Sequence, residues 1–135
     1  MGPGRWQIYI LNMKVLIIDD EIDLSLLLKS YFIRRGYEVA LSHTLSEGLA
    51  DLTVLRPDIL FLDNNLPDGT GWDEATAIVT QYPDLKLYLI SAYHPVIPEL
   101  PENAHVKVLE KPVSFSELDT IFSSSTSTAS ETENI

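Results

Sequence analysis

The stretch Asp58-Ile59-Leu60-Phe61-Leu62-Asp63 constrains this chain more than any other. It is a continuous apolar run with a carboxylate at its end. Such a run, bounded by polar residues, fits a strand buried on both faces, as in a parallel sheet. Asp63 then stands where the strand leaves the sheet. Asn64 to Gly71, with Pro67, Asp68, Gly69 and Gly71, reads as the loop that follows. A carboxylate is therefore placed at the carboxyl end of a central strand, the edge where ligands bind in open α/β sheets. The plain alternative is a loop-initiating Asp, ordinary at a strand end. The rest of the chain separates the two readings.

Taken in order, the chain alternates strand and helix. Lys14 to Ile18 reads as a buried strand ending in Asp19-Asp20-Glu21. Leu24, Leu27, Leu28 and Tyr31 then recur at helical spacing, and Gly36 ends that helix, with Arg34 and Arg35 in the last turn. Glu38 to Leu41 is a second strand. Thr44-Leu45-Ser46-Glu47 is a capping box that opens a helix to about Leu55, stopped by Pro57. After the Asp58–Asp63 strand, Trp72 to Tyr82 reads as a third helix, with Trp72, Ala75 and Val79 on one face. Leu85 to Ile90 is a fourth strand ending at Ser91, and Val106 to Leu109 a fifth, followed by Glu110-Lys111-Pro112. Ser114-Phe115-Ser116-Glu117 is a second capping box, opening a last helix through about Phe122. Five alternations of this kind imply an α/β fold, a parallel sheet covered on both faces.

The flanks read differently. Residues 1–12 hold the breaker cluster Gly2-Pro3-Gly4 and a short apolar run, and read as an N-terminal extension or an expression remnant. Residues 123–135 are rich in Ser, Thr and Glu, and read as a tail or linker. Residues 13–122 form the single domain that 135 residues suit. A net charge of −11 argues against this segment gripping nucleic acid or an anionic membrane. There is no cysteine, hence no disulfide framework or thiolate chemistry. The apolar runs are too short to span a bilayer and no signal peptide is visible, so a cytoplasmic soluble domain is the default.

The strand ends now gather chemistry. Asp19-Asp20, Asp63, Ser91 and Lys111 are far apart in sequence, yet all lie at carboxyl ends of strands and converge on one edge of one sheet. Two like unit charges 4 Å apart repel by about 1 kcal/mol in water and about 4 kcal/mol at an effective dielectric near 20. A carboxylate cluster is therefore costly without a cation. Hard oxygen donors suit Mg²⁺, or its substitute Mn²⁺, which also takes phosphate oxygens. Lys111 supplies a point charge for a phosphoryl oxygen and Ser91 a hydroxyl. Asp63 is then a metal ligand or a carboxylate nucleophile. Each residue alone has a plain reading: helix cap, turn serine, solvated lysine. Their joint placement favours chemistry. His43, His94 and His105 fall outside metal-ligand spacing and read as surface or loop residues, while Trp72 and Phe115 read as core anchors.

Residues Met13 to Phe122 resemble the receiver domain of two-component response regulators, the family of the chemotaxis regulators. The residues that carry the resemblance are Val15 to Glu21, Asp58 to Asp63 with Leu66-Pro67-Asp68-Gly69-Thr70-Gly71, Leu89-Ile90-Ser91-Ala92, and Lys111-Pro112. The resemblance implies a doubly wound, flavodoxin-like five-stranded sheet in the order 2-1-3-4-5, with the site at the break between strands one and three. It implies that Asp63 accepts a phosphoryl group from a histidine kinase or phosphotransfer protein. Asp20 and Asp63 match direct Mg²⁺ ligands, Asn65 the position whose backbone carbonyl joins them, and Asp19 the second acidic-pocket residue. Ser91 matches the switch hydroxyl, Lys111 the lysine that contacts the phosphoryl group, and Lys111-Pro112 a bond often cis in the family. Such a domain switches a partner, an attached C-terminal output domain or a homodimer, and is not an enzyme beyond its own phosphorylation and dephosphorylation.

Two departures stand out. Val108 occupies the position of the family's switch aromatic. Pro95, Pro98 and Pro101 fall where a helix between the fourth and fifth strands belongs, and proline costs about 3 kcal/mol inside a helix. An irregular or shortened connection is expected there, with a short turn opened by Pro98 or Pro101, and signalling shifted toward the first helix and neighbouring loops, or a rebuilt loop surface. Two rival readings remain at this point. One is a degenerate pseudo-receiver that only binds partners. The other is a small Mg²⁺-dependent phosphatase working through an aspartyl-phosphate, which in haloacid-dehalogenase-type enzymes needs an Asp where Asn65 stands.

Overall fold

The computed structural model describes residues 13–93 and 95–123. The segment read as an N-terminal extension, His94 and all but the first residue of the tail lie outside them. Strands β1 (Lys14–Ile18), β2 (Glu38–Ser42), β3 (Ile59–Asp63), β4 (Lys86–Ser91) and β5 (His105–Glu110) form one sheet in the order β2-β1-β3-β4-β5. All four pairings are parallel. This is the doubly wound 2-1-3-4-5 order expected of the sequence. Helices α1 (Ile22–Arg34), α2 (Leu45–Leu55), α3 (Ala75–Gln81) and α4 (115–123) make the connections and the last layer. Among the described residues, no helix is long and apolar enough to cross a membrane.

The alternation of side chains along each strand sorts the core into two sides. Val15, Ile17, Ile59, Phe61, Tyr88 and Ile90 meet Leu24, Leu28, Tyr31 and Phe32 of α1 and Leu118 of α4. Leu16, Ile18, Leu60, Leu62, Leu87 and Leu89 meet Leu52 of α2, Trp72, and Ala75, Ile78 and Val79 of α3. Every residue of β3 is buried, which is why its sequence reads as an unbroken apolar run.

Helix ends follow local chemistry. Gly36 has φ 87°, and the Gly36 and Tyr37 amides donate to the carbonyls of Ile33 and Phe32, a glycine-terminated Schellman end. Thr44 caps α2 by accepting from the Glu47 amide at 3.1 Å, but Glu47 closes on the His43 amide rather than on that of Thr44. The third helix departs from expectation in its first turn. Gly71–Glu74 is a 3₁₀ turn, and only Ala75–Gln81 is α-helical. The cause is local: the Gly71 amide donates to the Asn64 carbonyl, the Trp72 amide to Asn64 Oδ1, and the indole N–H to the Leu62 carbonyl. These bonds pin the entry to β3 and tighten it. Trp72, Ala75 and Val79 nonetheless share the buried side.

Among the described residues between β4 and β5 there is no helix. Pro101 opens one turn, closed by the Ala104 amide on its carbonyl at 3.0 Å, and Thr76 Oγ1 fastens the segment to α3 through the Glu99 carbonyl. Val96, Ile97 and Val108 are left exposed.

Candidate functional site

The parallel order brings the ends of β1, β3, β4 and β5 to one edge. Asp19 directly follows β1, is fully buried, and is fixed by two backbone bonds: its amide donates to the Ser42 carbonyl, and its Oδ1 accepts from the Glu21 amide at 2.7 Å. Asp20, next in the chain, is exposed. Asp63 closes β3 and is 2 % exposed. One carboxylate oxygen from each of Asp19, Asp20 and Asp63 lies within 4.8 Å of the others.

Lys111 approaches from the loop after β5, held there by its own amide on the Ser91 carbonyl at 2.9 Å. Its ammonium lies 3.0 Å from Asp19 Oδ2 and 3.3 Å from Asp63 Oδ2, and is bonded to Glu21 Oε1. The side chain is only 10 % exposed, so this is no solvated lysine. The Lys111-Pro112 bond is cis, as the resemblance implied. Ser91, 3 % exposed, ends β4, and its Oγ accepts from the Tyr93 amide at 3.2 Å. Asn65 sits two residues after Asp63, in a small hairpin that pairs Asn65–Leu66 with Gly69–Thr70.

The electrostatics show too much negative charge in too little water. Burial, then the charge of Asp19, pushes the Asp63 carboxyl up to about 6, against the opposing pull of Lys111 and the Asn65 amide. Burial also raises Asp19 above the usual range, outweighing the Glu21 amide and Lys111. For Lys111, burial works against the ammonium, but its bonds to Glu21 and Asp19 and the charges of Asp19 and Asp63 prevail and hold the proton more tightly than usual. Asp19 Oδ2 is a buried oxygen without an aligned hydrogen bond, although Lys111 pairs with it ionically. Hard oxygen donors, a surplus of charge and an unsatisfied buried oxygen all fit a divalent cation.

Several residues at this edge were not legible as parts of it. Glu21 bonds Lys111. Asp68 accepts from the Leu45 and Ser46 amides at 2.7 and 2.9 Å, tying the loop after Asp63 to the first turn of α2. Those amides lower the Asp68 carboxyl from its usual range. Gly71 is required because a Cβ there would come within 2.1 Å of the Asp63 carbonyl oxygen. The sequence marked it as a turn residue and part of the motif that carries the resemblance, without this close approach. His43, read as a surface or loop residue, is half-buried, with Nδ1 3.0 Å from the Asp19 carbonyl oxygen. It is not part of the carboxylate cluster. Phe115, read as a core anchor, is instead 41 % exposed and rests against the Tyr31 ring, because it opens α4 at the rim of the core.

A profile described as the response regulator receiver domain matches residues 15–123. The chemotaxis protein CheY of Thermotoga maritima is 32 % identical over 83 residues, which cover 61 % of this chain and 69 % of that protein. Sporulation initiation phosphotransferase F of Bacillus subtilis is 26 % identical over 83 residues, 62 % of this chain and 67 % of its own length. The regulatory protein LuxO of Vibrio vulnificus is 27 % identical over 77 residues, 57 % of this chain but only 17 % of LuxO. Among solved structures, a CheY-like receiver domain protein from Methanospirillum hungatei JF-1 superposes with a TM-score of 0.71 at 24 % identity, covering 84 % of this chain and 93 % of that one. The profile match runs from β1 to α4 and crosses every strand that delivers a site residue, so this chain belongs to the response regulator receiver domain family.

Proposed function

We propose that this domain is a phosphorylation-controlled switch whose acceptor is Asp63, charged by the phosphohistidine of a histidine kinase or phosphotransfer protein. The observation that carries this reading is the convergence of Asp19, Asp20 and Asp63 within 4.8 Å, with the Lys111 ammonium 3.3 Å from the acceptor carboxylate. Asp63 attacks as the carboxylate, which predominates above about pH 6. A carboxylate oxygen forms a bond to phosphorus while the phosphorus–nitrogen bond of the donor breaks, and its electron pair returns to the imidazole. Lys111 neutralises charge on the transferred group and the Ser91 hydroxyl donates to another of its oxygens. Asp20, Asp63, the Asn65 carbonyl and Asp19 would hold Mg²⁺ or Mn²⁺, which when bound offsets the negative charge of both the pocket and the phosphoryl group.

The reading extends to the partner face. Ile22, Leu26 and Ile33, each half-exposed, lie along the outer side of α1, beside a groove of about 410 Å³ lined by Leu24, Leu27, Ala92, Pro112 and Val113. This apolar face reaches Lys111 and suits the phosphodonor, while the described residues of the β4–β5 connection offer no helix for the purpose. The output is a C-terminal domain, a homodimer or a separate partner in the cytoplasm. The only chemistry is the domain's own phosphorylation and dephosphorylation. Incubation with acetyl phosphate and Mg²⁺ is expected to add one phosphoryl group by intact-mass measurement, and none to Asp63→Asn. Equal labelling of the two proteins would remove Asp63 from the role.

A further inference from the structure

Glu21 occupies the N-cap of α1 with extended backbone, yet its side chain makes no capping bond. A carboxylate at that position ordinarily accepts from the open amides of the first turn. Here the backbone of Glu21 serves its neighbours, its amide donating to Asp19 Oδ1 and its carbonyl accepting from the Ser25 amide. The side chain turns away from the helix and bonds Lys111. An ammonium has three N–H donors, and three carboxylates claim this one: Asp19, Asp63 and Glu21. Two of the three are buried in the pocket. The Glu21 side chain is 57 % exposed, at the mouth of the groove between α1 and Pro112. It is therefore the partner that Lys111 exchanges most easily.

We propose that Glu21 is a positioning residue that holds the Lys111 ammonium by one donor in the unphosphorylated protein and releases it when a phosphoryl group forms on Asp63. Glu21 thereby sets how readily the site charges. The new group brings additional oxygen acceptors to an ammonium already hydrogen-bonded to Glu21 and paired ionically with Asp19 and Asp63, and Glu21 is the competitor. This rests on Asp63 being the acceptor.

The test uses beryllofluoride, at saturating Mg²⁺, on wild type, Glu21→Gln, Glu21→Asp and Asp23→Asn. Asp23 lines the same groove but forms no ion pair with Lys111. Glu21→Gln removes the charge, and Glu21→Asp keeps it but shortens the reach. Both are expected to tighten beryllofluoride binding, by up to about fivefold, the scale an ion pair with one exposed partner supports. Asp23→Asn is expected to match wild type. Without beryllofluoride, the ¹⁵N resonance of Lys111 Nζ is expected to shift in both Glu21 variants and not in Asp23→Asn. If Glu21→Asp binds like wild type, or Asp23→Asn tightens as much as Glu21→Gln, general charge is at work and the positioning role is overturned. Weaker binding in the Glu21 variants, or an unmoved Lys111 resonance, overturns it too. A wild-type protein that takes no beryllofluoride overturns the acceptor reading and this proposal with it. Normal wild-type binding with unresponsive Glu21 variants overturns this proposal alone.

Discussion

The two sides of the sheet are built from different material. On the α1 and α4 side, Phe32 is the hub of an aromatic cluster. Its ring meets Tyr31, Tyr37 and Phe122 edge-on at 5.0 to 5.2 Å, and Phe61 stacks on Tyr88 at 5.0 Å. On the α2 and α3 side the core is aliphatic apart from Trp72 and the partly buried Tyr82, and its cover thins toward β5 because residues 95–104 supply no helix. Val108 is 43 % exposed there, whereas Phe32 and Phe61 are fully enclosed. The difference teaches where this domain resists and where it yields. Lys111 and Glu21 hang from the aromatic side, whose interlocked rings hold the pocket's walls in place. Ser91 leads into the thin side, where a rearrangement displaces few packed groups.

The largest expected effect tests the stiff side. Phe32→Ala should lower unfolding stability by about 3–5 kcal/mol in urea titration, as enclosed aromatic deletions do. A loss below about 2 kcal/mol would mean that the ring cluster is not what braces this side.

A second test addresses the edge where the two sides meet. The Asp63 carboxyl is raised from 3.8 to about 6. Between those values the folded state binds more protons than the unfolded one, so stability falls as pH rises through the window. The gap converts to about 3 kcal/mol before allowance for coupling to Asp19 and Lys111. Without divalent cations, Asp63→Asn is therefore expected to stabilise the protein at pH 7 by about 1–3 kcal/mol, and to give no advantage at pH 3.5. Thermal unfolding at the two pH values checks it, and a destabilised variant at pH 7 would show that the Lys111 contact outweighs the burial.

The smallest effect belongs to the thin side. Val108→Ala should change stability by no more than about 0.5 kcal/mol, as at ordinary exposed positions. A loss above about 1 kcal/mol would show that the connection packs on β5 after all.

Much of this was legible because it rests on local chemistry. Strands announced themselves by apolar runs, α1 by its spacing and Gly36, and the missing helix by three prolines. Within the site, each strand end carried a polar residue that the parallel order then gathered. What stayed hidden was long-range or shared. No spacing rule says that Glu21 leaves its own helix end for a lysine 90 residues away, that Asp68 reaches the amides of Leu45 and Ser46, or that Asn64 and the Trp72 indole tighten the start of the third helix. A capping box predicts reciprocal bonds between Thr44 and Glu47. It does not predict that Glu47 will prefer the His43 amide, which depends on how β2 delivers the chain.

The thinly covered flank also bears on how copies of the molecule treat one another. Val96, Ile97 and Val108 leave apolar surface next to β5, whose outer edge carries no strand among the described residues. At neutral pH a net charge of −11 keeps molecules apart by mutual repulsion. Near pH 4.4 that repulsion vanishes. Association of copies is then expected to begin along this flank, and light scattering followed against pH checks it.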